Sequence, residues 1–167
     1  LVTVIRVAIR NMAVFDAAGG VLARIGAWFN RRRHARRDNS VEGSRRNIAD
    51  HYDLGNEFYR LFLDESLAYS CAFYEKPDDP LGRAQVAKFE RICRKLRLSP
   101  SDHLLEIGTG WGGFAIHAAS RYGCRVTTTT ISREQHDFAR EKIAARGLSD
   151  RITLLFEDYR DLKGQFD

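Results

Sequence analysis

The segment that most constrains the fold is a short apolar run that leads through a glycine-rich loop into a helical pattern. His103–Ile107 predicts a strand, and Gly108, Gly110 and Gly113 match the spacing G-x-G-x-x-G. Phe114–Tyr122 then predicts a helix. A strand, a tight glycine turn and a helix form the first unit of a parallel sheet whose turn approaches a nucleotide-like cofactor. A glycine turn that binds no ligand is the alternative.

The alternation of strand and helix continues along the chain. Arg125–Ile131 is rich in β-branched residues and predicts a second strand, and Arg151–Phe156 predicts a third. A helix is expected between them, capped by Ser132 and followed by Gly147. This order indicates an α/β fold with a parallel, doubly wound sheet. Three strands supply only the 3-2-1 half of such a sheet, so we expect a fragment of a longer domain.

Helical patterns precede the first strand. One predicted face begins near Asp53 and a second lies before the turn at Ser99–Asp102. The first face comprises Leu54, Phe58, Leu61 and Phe62, and the second comprises Val86, Phe89, Ile92, Cys93 and Leu96.

The positive charge of the chain is unevenly distributed. The net charge is +5, and Arg31–Arg37 holds five arginines in seven residues. An apolar stripe, Val21–Phe29, runs into this cluster. Such a layout suits a helix on a membrane surface, a helix packed on another domain, or a solvated linker. No apolar run approaches the ~20 residues of a membrane span, so we expect a cytoplasmic protein with peripheral membrane association left open, and no nucleic-acid partner.

Two features around the glycine loop distinguish between cofactors. A dinucleotide site requires an acid at the end of the second strand for the ribose hydroxyls, and Thr127–Ile131 contains none. Glu106 instead lies at the end of the first strand, where a carboxylate would crowd a pyrophosphate but could accept a hydrogen bond from the ammonium of S-adenosylmethionine (SAM). The residues therefore favour SAM over NAD. The three cysteines form no metal-binding spacing, so no metal is expected.

Four motifs, in this order and spacing, resemble the cyclopropane-fatty-acyl-phospholipid synthase family. They are Asn47–Asn56 with Phe58 and Tyr59, then Tyr69–Ala72, then Leu105–Gly113, then Thr128–Gln135. The resemblance covers about residues 40–167. It implies that residues 1–39 end a variable N-terminal region with a basic helix and linker. Residues 40–100 would form a helical lid and active-site segment, and residues 101–167 the first half of the SAM-binding domain.

The resemblance implies a Rossmann-like class I methyltransferase fold, here its first half, and a set of cofactor contacts. Leu104–Gly112 would hold the methionine part of SAM, Thr130–Gln135 the ribose, and Asp158 with its neighbour the adenine. The implied cofactor-binding residues are Tyr52, Tyr69, Ser70, Glu106, Gly108, Thr109, Gly110, Trp111, Gly112, Thr130, Ser132, Gln135, Asp158 and Tyr159. An acid such as Asp158 could instead be part of a solvated turn.

The family resemblance makes Cys71 the expected catalytic residue, lining a pocket for a bicarbonate ion. A small buried core residue is the alternative for a free cysteine, and no basic pair adjacent in the sequence argues for a reactive thiolate. Aromatic side chains could line a dry cavity and stabilise a carbocation; the candidates are Phe58, Tyr59, Tyr69, Phe73 and Tyr74.

The implied function is SAM-dependent transfer of a methyl or methylene group to the cis double bond of phospholipid acyl chains at the membrane surface. The alternatives are a methyltransferase of another lipid or of a small molecule, and a truncated, non-catalytic SAM-binding fragment. We expect the 167-residue chain alone to be inactive. A homodimer is left open.

Overall fold

The computed structural model describes residues 2–12 and 55–167. The chain divides into two compact units, Leu1–Ser44 and Arg45–Asp167. In the first unit the described part is helix α1, Val2–Arg10. The predicted apolar stripe, the arginine cluster and Tyr52 lie outside the described residues. None of the described helices has both the length and the apolar character required to cross a bilayer.

In the second unit, helices and parallel strands alternate after a helical lead-in. The elements are α2 (Gly55–Arg60), α3 (Leu81–Leu96), β1 (His103–Ile107), α4 (Gly113–Tyr122), β2 (Arg125–Thr129), α5 (Arg133–Ala145) and β3 (Ile152–Leu155), followed by a short 3-10 helix (Tyr159–Asp161). The sheet order is β1-β2-β3, and both pairs are parallel. The predicted α/β fold with one half of a doubly wound sheet is confirmed.

The register of the sheet brings the carboxyl ends of the strands to one edge. His103 pairs with Arg125 at the start of β1, and Ile107 pairs with Thr129 at its end. Thr129 in turn pairs with Leu155 of β3. The loops that follow Ile107, Thr129 and Leu155 therefore emerge side by side, which is where ligands bind in sheets of this kind.

The ends of α5 follow from local chemistry. Ser132 is the N-cap, and its Oγ accepts the backbone N–H of Gln135 at 3.3 Å. The helix ends at Ala145, and Gly147 has a φ of +64°. Glycine adopts that left-handed conformation without steric cost, which suits the position after a helix end. Both predicted boundary signals are confirmed.

The core lies between the sheet and helices α3, α4 and α5. Alanines on α4 bring that helix close to β2 and β3, where branched side chains fill the interface. Full burial of a branched side chain such as that of Val126 or Ile143 contributes about 1.5–3 kcal/mol. The buried cluster comprises Cys93, Leu104, Ala115, Ile116, Ala118, Ala119, Cys124, Val126, Ala139, Ile143 and Ile152.

The predicted helical faces are partly wrong. On α3, Phe89 and Cys93 are buried as expected, while Val86, Ile92 and Leu96 are exposed and Gln85 is buried in their place. At α2 the predicted face is wrong for its described residues, since Leu61 is 82% exposed and Phe58 is 41% exposed; Leu54 lies outside the described residues. The helix has only six residues and ends at Arg60, so the residues after it do not continue the helical spacing. Its buried residue is Tyr59, at 2% exposure.

Candidate functional site

The loop after β1 is built from glycines in left-handed conformations. The φ angles are +93° at Gly108, +53° at Gly110 and +82° at Gly112, all unfavourable for residues with a Cβ. The N–H groups of Gly108 and Thr109 both donate to the carbonyl oxygen of Thr129 at 3.0 Å. The backbone of the loop is thereby tied to the end of β2, at the carboxyl edge of the sheet.

Gly113, the third glycine of the predicted motif, meets a different requirement. It is the first residue of α4. A Cβ at this position would lie 3.0 Å from the carbonyl oxygen and 3.2 Å from the Cβ of Ser66. The glycine therefore allows the turn that contains Ser66 to pack directly against the start of α4.

Glu106 lies half-buried at the end of β1. Its Oε2 accepts a hydrogen bond from Thr128 Oγ1 at 2.7 Å. The hydroxyl of Thr128 also lies 2.7 Å from that of Thr109. Burial raises the pKa of Glu106 to about 7, and the hydrogen bond from Thr128 acts in the opposite direction. The carboxyl is thus an acceptor whose charge changes near neutral pH.

Three side chains after β2 form an interlocked set. Thr130 Oγ1 donates to Gln135 Oε1 at 3.0 Å and accepts the N–H of Ser132 at 3.2 Å. All three residues are buried. Because the amide oxygen of Gln135 is held by Thr130, the amide nitrogen is the group that can serve a ligand. It can donate to a ribose oxygen, whereas an acid would accept from a ribose hydroxyl.

Asp158 follows β3 and is buried, so the solvated turn proposed as an alternative is wrong. Its Oδ1 accepts the backbone N–H of Arg160 at 3.0 Å and the side-chain Nε at 2.8 Å. Its Oδ2 accepts from Nη2 of the same arginine at 2.6 Å. The carboxylate is therefore held in one orientation. Tyr159, which lies between the two, is exposed.

Trp111 joins the glycine loop to two other motifs. Its Nε1 donates to Asn56 Oδ1 at 2.6 Å. Its ring centroid lies 4.8 Å from that of Tyr59, which in turn lies 5.3 Å from that of Tyr69. Trp111, Tyr59 and Leu67 form a second buried cluster. Trp111 thus contacts the motif that contains Asn56 and Tyr59, and Tyr59 in turn contacts Tyr69 of a third motif.

The segment of Tyr69–Cys71 is anchored to α3. Gln85 Nε2 donates to the carbonyl oxygens of Ala68 and Ser70 at 3.1 and 3.0 Å. Lys88 Nζ donates to Ser70 Oγ at 2.7 Å. These two α3 residues are one turn apart, so both face the segment. Neither residue was predicted from the sequence, where their spacing along α3 is the only signal of a shared role.

Cys71 is exposed, in contrast to Cys93 and Cys124, so the alternative of a buried core residue is wrong. Burial lowers the pKa of Lys88, and the nearby Cys71 and Asp64 act in the opposite direction. Because Lys88 Nζ also donates to Ser70, the residue before Cys71, its ammonium group lies near this segment. The sequence does not reveal this cation, because Lys88 is far from Cys71 along the chain.

The aromatic side chains expected to line a cavity do not share one environment. Tyr59 is buried, whereas Phe58, Tyr69, Phe73 and Tyr74 are exposed. Phe58 and Tyr69 both contact Phe62. The distance between ring centroids is 5.4 Å for Phe58 and Phe62, and 6.4 Å for Tyr69 and Phe62. These rings form an aromatic surface beside the glycine loop and Trp111.

Comparisons with known proteins agree with this geometry. Residues 39–167 match the family model of mycolic acid cyclopropane synthetase. The chain is 48% identical over 122 residues to a probable fatty acid methyltransferase of Pseudomonas putida, covering 72% of this chain and 31% of the relative. It is 47% identical over 118 residues to the cyclopropane-fatty-acyl-phospholipid synthase of Escherichia coli K12, covering 71% and 30%.

Among solved structures, a mycolic acid cyclopropane synthase, CmaA1, complexed with SAH and CTAB, superposes with a TM-score of 0.70 at 33% identity. The match covers 74% of this chain and 43% of that one. The chain therefore has the class I SAM-methyltransferase fold. It spans about a third of the length of the curated relatives it matches. The chain belongs to the mycolic acid cyclopropane synthetase family.

Proposed function

We propose that this chain is the cofactor-binding part of a SAM-dependent methyltransferase that modifies the cis double bond of phospholipid acyl chains. The observation that carries the proposal is the contact at Trp111 between the glycine loop and the first motif: Trp111 Nε1 donates to Asn56 Oδ1, and its ring packs on Tyr59, which also contacts Tyr69. Side chains from the region before the sheet thereby close over the loop at the carboxyl edge. The SAH in the CmaA1 complex supports the same cofactor class.

The polar groups at the sheet edge fit SAM. Glu106 offers an acceptor for the methionine ammonium, and no phosphate has to be placed beside it. Gln135 offers an amide donor for a ribose oxygen. The left-handed glycines at 108 and 110 have open space where a Cβ would stand, so a ligand can approach their backbone closely.

When bound, SAM would supply an electrophilic methyl group: the electron pair of the acyl double bond forms the new carbon–carbon bond as the sulfur–carbon bond breaks. Loss of a proton from that methyl group, with ring closure, would then give a cyclopropane. The residues of this chain would bind the cofactor and shield its methyl group from water. The exposed aromatic surface of Phe58, Phe62 and Tyr69 would face the acyl chain, where aromatic faces favour a developing cation.

Cys71 is part of the proposal as a residue that lines the site for a small anion, bicarbonate. It is exposed, and the Lys88 ammonium beside it provides a positive charge that suits an anion. Bicarbonate would take the proton released on ring closure. One relative is a probable fatty acid methyltransferase and another a cyclopropane-fatty-acyl-phospholipid synthase. A methyl-branched product is the second candidate on that ground.

Thermal unfolding in the presence of ligands tests the cofactor. SAM and SAH are expected to raise the unfolding temperature of the chain, because a ligand that binds only the native state stabilises it. NAD is expected to have no effect. Stabilisation by NAD and none by SAH would overturn the cofactor assignment.

Lipid analysis tests the acceptor. The full coding sequence that contains this chain would be expressed in a bacterium that lacks cyclopropane lipids, and its phospholipid acyl chains analysed by mass spectrometry. Mono-unsaturated chains are expected to gain one methylene unit. Unchanged acyl chains together with SAH binding would favour a small-molecule acceptor.

A further inference from the structure

Three oxygen atoms from three different elements form a continuous chain beneath the glycine loop. Glu106 Oε2 of β1 lies 2.7 Å from Thr128 Oγ1 of β2. Thr128 Oγ1 lies 2.7 Å from Thr109 Oγ1 of the loop. Both threonines are buried, with Thr128 at 0% exposure. The chain thus links the acid at the end of β1 to the loop through the middle strand.

The direction of these hydrogen bonds can be assigned from the number of hydrogens available. A threonine hydroxyl has one hydrogen to donate and two lone pairs that accept. Thr128 donates its hydrogen to Glu106, so Thr109 must donate to Thr128. Both hydroxyl dipoles then point toward Glu106 Oε2. A series of donors that ends on a carboxylate stabilises the negative charge, and each bond polarises the next.

The groups that act on Glu106 are few. Burial raises the pKa of Glu106, and the hydrogen bond from the Thr128 hydroxyl lowers it. Among the described residues, no charged side chain contributes to that shift. No described residue donates a hydrogen bond to the second oxygen, Oε1. Among the described residues, the uncharged hydroxyl of Thr128 is therefore the group that opposes the effect of burial and favours the ionised carboxyl.

We propose that Thr128, supported by Thr109, is a positioning residue that holds Glu106 through Oε2 and leaves Oε1 to accept from the ammonium of the cofactor's methionine part. The proposal rests on the proposed function, since it assumes that SAM binds at this edge. It assigns a role to two buried threonines, of which Thr128 contacts Glu106 directly and Thr109 contacts Thr128. Thr128 acts only through Glu106, so the loss of its hydroxyl affects ligands that carry the ammonium.

Calorimetric titration of the chain with two ligands tests the proposal. SAH carries the ammonium, and 5′-methylthioadenosine lacks it. Thr128→Val removes the hydroxyl at nearly constant volume and is expected to weaken SAH binding by about 10- to 100-fold, the size expected for a hydrogen bond to a charged group. Binding of 5′-methylthioadenosine is expected to change by less than about threefold. The midpoint of the pH dependence of SAH affinity is expected to move upward, because the ionised form loses its donor.

Thr127→Val is the matched control. Thr127 is the preceding residue of β2, is buried, and its hydroxyl lies 2.8 Å from His103 Nε2. Its side chain lies on the opposite face of the strand from Thr128, so its loss is expected to leave both ligand affinities unchanged. Thr128→Ser keeps the hydroxyl and is expected to restore SAH affinity. If Thr128→Val does not fold, Thr109→Val is expected to give the same ligand selectivity at a smaller magnitude.

Three results would overturn the proposal. Equal weakening of both ligands would mean that Thr128 serves only the structure of the strand. Unchanged SAH affinity in Thr128→Val, with binding by the unmodified chain intact, would remove this inference and leave the proposed function in place. No SAH binding by the unmodified chain would overturn the proposed function and this inference with it.

Discussion

The two halves of the candidate site are built differently. The carboxyl edge of the sheet owes its shape to backbone hydrogen bonds, such as those from Gly108 and Thr109 to Thr129. The segment 66–74 has no helix or strand of its own and is held mainly by side chains, with Gln85 and Lys88 as its anchors. Changes at the sheet edge should therefore alter ligand binding within an intact fold. Changes at the anchors should displace the segment.

The largest effect is expected where the two halves meet. Trp111→Ala removes a buried indole and leaves Tyr59 facing a cavity, so the free energy of unfolding is expected to fall by about 3–5 kcal/mol. Chemical denaturation measures this. Trp111→Phe keeps an aromatic ring but loses the hydrogen bond to Asn56, and a smaller loss of about 1–2 kcal/mol is expected. Equal losses in the two variants would show that the hydrogen bond, not the packing, joins the halves.

Glu106→Gln is expected to change stability and ligand binding in opposite directions: the variant should be more stable above pH 7 but should lose its stabilisation by SAH. The pKa of Glu106 is about 7 in the folded chain and lower when unfolded, so the folded state binds its proton more tightly. The stability of the unmodified chain should therefore fall as pH rises from about 4.5 to about 7. Above pH 7 the neutral variant is expected to be more stable by about 1–3 kcal/mol, with no difference near pH 4. SAH should stabilise only the unmodified chain.

The measurement for Glu106→Gln is thermal unfolding over this pH range, with and without SAH. If the variant is less stable than the unmodified chain at pH 8 without ligand, the ionised form of Glu106 does not destabilise the fold, and the assignment of a raised pKa to it is contradicted.

Gly113→Ala tests how closely the two halves pack. The added Cβ would lie 3.0 Å from the Ser66 carbonyl oxygen, so the turn at Ser66 must shift. We expect the free energy of unfolding to fall by about 1–2 kcal/mol, since an exposed turn can partly relax. The control is Gly82→Ala in α3, where the nearest atoms would be 3.8 Å away. That variant should gain up to about 1 kcal/mol from helix propensity. Similar effects in the two variants would contradict the packing argument.

The smallest effect is expected at the anchor. Gln85→Leu leaves the carbonyl oxygens of Ala68 and Ser70 without their donor, but water can reach this half-exposed segment. A loss of about 1 kcal/mol is expected. Cys71 reports on local order, because burial raises the pKa of Cys93 to about 12 and also that of Cys124. Thiol labelling of Cys71 should accelerate in Gln85→Leu and not in the exposed control Val86→Ala. An unchanged labelling rate would mean that Gln85 does not order this segment.

The elements that could be predicted from the sequence are those determined by neighbouring residues. The elements that could not be predicted depend on contacts between distant parts of the chain. The strands and α5 follow from local patterns, since β-branched runs, Ser132 and Gly147 act on their immediate neighbours. The face of α2 could not be predicted, because it is set by the contact of Tyr59 with Trp111, far along the chain.

The residues of the candidate site divide in the same way, into those that local sequence identifies and those that only packing brings to the site. Glu106 and the glycines could be proposed from their positions at the end of a predicted strand, because parallel strands bring their carboxyl ends together. Gln135 was proposed through the resemblance to a family. Lys88 and Gln85 could not be proposed, since their roles depend on how α3 packs against an irregular segment. The resemblance to a family supplied the motif of Tyr69–Cys71, and only coordinates supplied its anchors.

The glycine loop has a consequence for how the length of this chain can vary. Its first residues are bound to the carbonyl of Thr129, and Gly113 at its far end abuts Ser66. Both ends of the loop are thus held by partners outside it. Insertions and deletions between these points would have to break one of the two attachments, whereas the exchange of a side chain within the loop need not move either. Related chains that differ here should therefore do so by substitution at a constant loop length.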